Sequence, residues 1–375
     1  MHLLLLAKEG LTKRSVSFIY QHISHGSLHN VQVHELQRPP QHTNPFRIAR
    51  MPFSHHSHSG QFCPGHAKDE LEAIVQTAIR RKMQVFALTE HMPRHDADLY
   101  PEEIEADMDL DWQFENERKY YTEARRLRDK YGSQIELPIG FECDWIRPES
   151  HELIQRSIRT YEFDFFVGSV HHVHTVPIDF DQAMYDQAKN AAGGTDERLF
   201  EDYFDAQFDM LQALRPPVVG HFDLIRLKSD NPDGSFRTMN GVWDRILRNL
   251  RYVASYGGIL ELNFAAMRKG MSEPYPKREI CQVIRLQAHG DFELIVKAYL
   301  SMDGKFCLSD DSHGIDQIAT NYNHLPEFLR LTGISSLCYI IHAQPKDGPK
   351  DDRFPCMSIC EASATAIGSH VFWAV

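Results

Sequence analysis

Eight residues with metal-ligand side chains stand where short apolar runs of this 375-residue chain stop: His56, His58, His91, Glu142, His171, His221, Asp311 and His313. A ninth, His66, closes the loop Phe62-Cys63-Pro64-Gly65-His66. Side chains two apart on a strand point the same way, so His56 and His58 face one pocket. The same spacing pairs Asp311, rather than Asp310, with His313. Neutral imidazole and carboxylate are the ligands chosen by Zn, Mn and Fe. Nine such groups exceed one four-coordinate ion and suit two or three ions sharing a bridging carboxylate. A cluster of this kind acidifies bound water and clamps the oxygens of a transferring phosphoryl group. Glu142, Asp311 and His172, the neighbour of His171, are the candidates for catalysis within it. A lone strand-end histidine is more often structural, and His55, His95, His151, His174 and His342 are read that way. Repetition carries the inference, because one chain ends run after run on the same ligand types.

Other chemistries lack their signatures. There is no G-x-S-x-G elbow, no phosphate-cradling G-x-x-x-x-G-K-[ST] loop and no G-x-G-x-x-G. Cys63 and Cys143 neighbour proposed ligands and are read as packing residues. Seven cysteines without paired spacing suit a reducing compartment. No stretch approaches the roughly 20 apolar residues of a membrane span, so the expected location is the cytoplasm. A formal net charge of −12 argues against a general binder of nucleic acid or anionic membranes. An anionic substrate then needs local positive charge, from metals or from a few arginines.

The elements that must hold these groups alternate. Helical spacing marks residues 67–83, 114–130, 200–211 and 242–253, the last closed by Gly257-Gly258. Between them lie strand-like runs at 85–88, 135–139, 163–170, 217–220, 259–262 and 305–308, and the segment before His56 makes seven. Strands alternating with helices call for parallel pairing. Polar residues just after every apolar run fit an α/β barrel with function at the C-terminal strand ends. A doubly wound open sheet gathers its ligands at one switch point instead. Residues 1–50 read as an irregular extension, 51–335 as the domain and 336–375 as a peripheral tail.

With these residues in view the chain resembles a known family. The H-x-H, Thr89-Glu90-His91, Gly140-Phe141-Glu142, Gly168-Ser169-Val170-His171-His172, Gly220-His221-Phe222-Asp223-Leu224 and Asp311-Ser312-His313 are similar to motifs of the polymerase and histidinol phosphatase (PHP) superfamily. Phe62-Cys63-Pro64, the Gly168–His172 motif and Asn263–Lys269 resemble its histidinol-phosphatase branch, in the fungal form. The resemblance implies a distorted (β/α)7 TIM-like barrel with a trinuclear centre of divalent ions (Zn, Mn or Fe). It implies one ion on His56, His58, Glu142 and Asp311, and a second on His66, His91 and His313. A third would take Glu142, His171 and His221. The implied reaction is hydrolysis of L-histidinol phosphate, a small phosphate monoester, in histidine biosynthesis. Arg226 and Arg268, with Arg94 third, match or neighbour positions expected to bind phosphate; Asp144 and Trp145 are available to the substrate's amine and imidazole. Three stretches depart from the family: residues 1–50, the interruption at 283–297, and the last thirty-odd. Each has the character of retained intron or upstream sequence, and the interruption precedes the strand carrying Asp311 and His313. The oligomeric state is left open.

Overall fold

The computed structural model describes residues 52–282, 284–285, 295–296, 299–345, 348 and 351–368. The expectation for residues 1–50, and most of that for 283–297, lies outside them. The described residues fall within one compact unit, 47–375.

Seven short parallel strands carry the site: β1 (Phe53–Ser54), β2 (Val85–Phe86), β3 (Glu142–Asp144), β4 (Val167–Ser169), β5 (Val218–Val219), β6 (Ile259–Asn263) and β7 (Lys305–Ser309). All seven lie in or next to the runs read from the sequence. Every residue of β1 to β6 is buried, which is why most of the segments around them read as continuous apolar runs rather than as alternation. Five of them form a sheet in the order β7-β6-β5-β4-β3, and β1 pairs with β2. Parallel bridges Val85–Glu136, Leu88–Ile139 and His91–Glu142 link the β2 segment to the β3 segment. On its other side the β1 segment bridges Ser57 to Ser312, and the N–H of His55 donates to the carbonyl of Leu308 at 3.1 Å. The sheet is thus α/β and mainly parallel.

Helices connect the strands. Leu71–Arg80 buries Leu71, Ile74, Val75 and Ala78, one stripe of a 3.6-residue period. Leu110–Tyr131 starts where the Asp109 carboxylate accepts the N–H of Trp112 at 2.9 Å. Asp196–Leu214 starts likewise on Thr195, and Asn240–Tyr256 stops at Gly257, whose φ of +78° suits glycine. The helices Ser150–Thr160 and Gln182–Ala191 were not anticipated. The second buries only Tyr185 and Ala188, too few to print a periodic pattern.

The stretch 336–375, read as a peripheral tail, contains an antiparallel hairpin of β8 (Ser336–His342) and β9 (Met357–Ser363). Its Leu337, Ile340 and Ala362 are buried. The N–H of Ile340 donates to Nε2 of His55 at 2.8 Å, and the ring of Tyr339 lies 5.4 Å from that of Phe53. The hairpin therefore packs beneath the start of β1 and contributes to the core. No helix among the described residues is long and apolar enough to cross a membrane.

Candidate metal centre

All nine expected ligands converge beyond the C-terminal ends of these strands, and Glu142 is their hub. Its Oε2 lies 3.2 Å from Nε2 of His56, 3.5 Å from Nε2 of His58 and 3.1 Å from Nδ1 of His91. Its Oε1 lies 3.0 Å from Nε2 of His221 and 3.4 Å from Nε2 of His171. Oδ1 of Asp311 stands 3.6 Å from His58, 3.7 Å from His313 and 3.8 Å from His56. The ring of His66 lies 4.7 Å from that of His313 and 5.8 Å from that of His91.

Backbone geometry aims these groups. Gly220 precedes His221 where a Cβ would meet Oγ of Ser169 at 2.5 Å and Cγ1 of Val167 at 2.8 Å, so only glycine fits. Asp311 adopts a left-handed φ of +46°, a conformation that costs roughly 1–3 kcal/mol off glycine. Arg268 donates to the carbonyls of Asp310 at 3.2 Å and Asp311 at 3.0 Å, and the Asn263 amide donates to Oδ2 of Asp311 at 3.2 Å. These bonds hold the turn. Asp310 is engaged elsewhere, by Oγ of Ser54 at 2.9 Å and the N–H of Ala319 at 2.5 Å.

The donor chemistry fits divalent cations. Nε2 of His56, both ring nitrogens of His58 and Nδ1 of His91 are buried with no hydrogen-bond partner. Such orphans are rare and costly in a protein interior unless something else occupies their lone pairs. Burial, then repulsion from neighbouring imidazoles, holds His58 well below the usual histidine range and His66 down to about 3. Burial likewise lowers His313 to about 4. These rings offer lone pairs rather than protons at neutral pH. Burial works to raise the carboxyl of Glu142, but His56 and His171 outweigh it and keep the group ionised. Asp311 is held ionised in the same way by His56, His313 and Lys269.

Three sets of ligand atoms lie within 4.8 Å of one another: His58–His91–His313, His56–His58–Asp311 and His56–Glu142–His221. In the second implied set His58 thus stands where His66 was expected. Around the ligands stand carboxylates that fix ring orientation, as metal-ligating histidines require. Oε1 of Glu261 lies 2.9 Å from Nδ1 of His56, while its Oε2 accepts the N–H of His221 at 2.7 Å. Asp144 pairs with Nδ1 of His171, and the carbonyl of Asp311 lies 3.0 Å from Nδ1 of His313. Glu261 was missed from sequence, although a carboxylate inside the buried run Ile259-Leu260-Glu261-Leu262 is itself a signal. Asp144, offered above to the substrate's amine, is committed to His171, and Trp145 is buried.

Two cavities open on the cluster. One, of about 390 Å³, is lined by ligands together with Lys228, Arg268 and Lys269. The other, of about 320 Å³, is lined by His66, His91, His171, Arg94 and a set of acidic and aromatic side chains. Two expectations need correcting. Arg226 reaches neither cavity. Its guanidinium is buried and spent on Asp223 at 3.0 Å and on the carbonyls of Pro232, Glu273 and Pro274. His172 also lines neither cavity. It follows His171 in an extended segment, where consecutive side chains point to opposite faces, and its ring lies 5.4 Å from that of Tyr100. Arg94 faces Glu103 at 3.5 Å and Asp144 at 3.7 Å. Lys228 and Lys269, neither of which was among the residues expected to bind phosphate, are further cations of the first cavity.

The PHP domain profile matches residues 54–265, from the β1 end to just past β6. The chain belongs to the PHP family. A Schizosaccharomyces pombe protein named "Probable histidinol-phosphatase" is 44% identical over 77% of this chain and 90% of its own length. The Saccharomyces cerevisiae histidinol-phosphatase is 30% identical over 80% of this chain and 93% of its own. Two solved structures share the fold. HisK from Listeria monocytogenes has a TM-score of 0.58 at 21% identity, covering 72% of this chain and 99% of that one. Histidinol phosphate phosphatase from Lactococcus lactis, complexed with zinc, L-histidinol and phosphate, has a TM-score of 0.56 at 18% identity, covering 76% and 95%.

Proposed function

We propose that this chain is a metal-dependent phosphomonoesterase that hydrolyses L-histidinol phosphate to L-histidinol and phosphate in histidine biosynthesis. The observation that carries the reading is Glu142, one carboxylate with five imidazoles within 3.5 Å of its two oxygens. The fungal relatives bear the name of this activity across nine-tenths of their length. We further propose three divalent ions, zinc, manganese or iron, shared through Glu142; three overlapping ligand sets support that number. Bound there, such ions supply positive charge to a phosphoryl group and acidify water.

The chain's own residues do the rest. Glu261 and Asp144 fix the tautomer and tilt of His56 and His171. Lys269, Lys228 and Arg268 make one wall of the cluster positive, so an overall acidic chain still attracts a phosphate dianion. Arg268 also ties down the strained turn at Asp311.

Parallel pairing around β1–β7, with the β1 segment bonded also to the β7 segment, supports a closed, distorted (β/α)7 barrel built on residues 51–335. Seven free thiols support a cytoplasmic location. The test compares kcat/KM for L-histidinol phosphate with that for a nucleoside 5′-monophosphate. The reading expects a preference of at least about tenfold for the former. Equal or faster nucleotide hydrolysis would assign the chain to another phosphoesterase activity.

A further inference from the structure

The two cavities at the cluster differ in charge. The larger sets Lys228, Arg268 and Lys269 against the carboxylates of Glu142, Asp179 and Asp311, whereas the smaller holds Glu102, Glu103 and Asp179 against the single cation Arg94, beside Tyr100, Trp112 and Phe180. His66, His91, His171 and Asp179 line both, so Asp179 stands where they meet. Two carboxylate oxygens of the smaller cavity, Oδ1 of Asp179 and Oε2 of Glu102, are shut from solvent and have no hydrogen-bond partner. Glu103 is different, because its Oε2 already accepts the N–H of Tyr100 at 2.8 Å and faces Arg94 at 3.5 Å. A buried carboxylate oxygen with no protein donor is costly, so these two suit a donor that arrives with a ligand. The rings of Tyr100 and Phe180 stack at 5.7 Å and 30°, and Phe180 and Trp112 stay 38% and 37% exposed at the mouth. Flat aromatic faces beside carboxylates suit a planar, cationic group.

We propose that Asp179 and Glu102 determine specificity by binding the cationic half of an aminoalkyl phosphate monoester, Asp179 its ammonium and Glu102 its imidazole. This rests on the functional reading above and names the residues that select its substrate. The order along the cavities matches the order along the molecule. In L-histidinol phosphate the amine sits close to the ester oxygen and the imidazole lies further out. Asp179 lines both cavities, whereas Glu102 lines only the smaller one. Asp144 lines neither cavity and its Oδ1 is held by His171, which leaves the amine to Asp179.

The test uses the metal-loaded enzyme and the variants Asp179→Asn and Glu102→Gln, with kcat/KM measured on L-histidinol phosphate and on p-nitrophenyl phosphate. In each variant the ratio of the two values should fall at least about tenfold, through KM, with metal content per chain retained. Equal loss on both esters, an unchanged ratio, or metal lost from Asp179→Asn would overturn the assignment. A wild-type enzyme that cleaves p-nitrophenyl phosphate but not L-histidinol phosphate would instead overturn the functional reading. The cation site is then judged by histamine as inhibitor of p-nitrophenyl phosphate hydrolysis. Competitive inhibition that weakens at least about tenfold in both variants upholds it, and absent or unweakened inhibition removes it.

Discussion

At the scale of single residues the cluster turns on Glu142, the one carboxylate whose two oxygens face His56, His58 and His91 on one side and His171 and His221 on the other. Glu142→Gln keeps the volume and removes the charge that five imidazoles share. We expect the purified variant to lose two of three ions by elemental analysis and turnover to fall by at least ~10²–10³-fold. Unchanged metal content would show that Glu142 is not the bridge. Eight of the nine ligands were legible in sequence because each stands at the end of an apolar run, and a run's end is visible from the sequence alone; His66, in a loop, drew its support from the family resemblance. Direction was not. His172 matches its motif as well as His171 does, yet turns toward Tyr100, and the guanidinium of Arg226 turns inward to Asp223. Asp179, Lys228 and Lys269 lie outside any apolar run, so nothing periodic marked them.

At the scale of elements, β1 shows why alternation matters. Its segment sends His56 and His58 to the cluster and His55 to the opposite side, where Nε2 accepts the N–H of Ile340 at 2.8 Å. The proton then sits on Nδ1, 3.4 Å from the carbonyl of Leu308. Burial pushes the His55 pKa down to about 4. The unfolded chain takes up this proton near pH 6.5 and the folded chain near 4. The stability from the neutral ring is therefore whole above pH 6.5 and is lost as pH falls toward 4. By pH 5 the loss is about 2 kcal/mol. Replacing His55 by Gln keeps an acceptor for Ile340 and removes the titration. Denaturant unfolding should show the stability gap between wild type and variant shrinking by about 2 kcal/mol from pH 7.5 to pH 5; a constant gap would place the ring elsewhere. The hairpin that makes this contact escaped sequence reading although its first strand carries the apolar run Leu337–Ile341, because its second strand mixes buried and part-exposed positions and gives no partner run or clean period. Most of the strands β2 to β7 were readable because burial on both faces leaves runs of consecutive apolar residues in or beside them, the run 135–139 standing just ahead of β3.

At the scale of the whole molecule the site is a meeting of distant chain segments. His56 and Asp311 are brought within 3.8 Å because the first strand segment pairs with the last, as Ser57 pairs with Ser312. No local pattern announces such a pairing; only the alternation of elements and the family resemblance pointed to it. Around that junction the molecule divides its charge, with the cations Lys228, Arg268 and Lys269 gathered in one cavity of the cluster and an acidic, aromatic lining in the other. That division suits a substrate which is anionic at one end and cationic at the other, and the ions between are what the hydrolysis depends on. The most direct test supplies the purified protein with L-histidinol phosphate and follows inorganic phosphate with manganese or zinc added, after thorough chelation, and after metal is restored. The account predicts release with metal, its loss on chelation and its return on reconstitution; no release with any metal, or release that survives chelation, would contradict it.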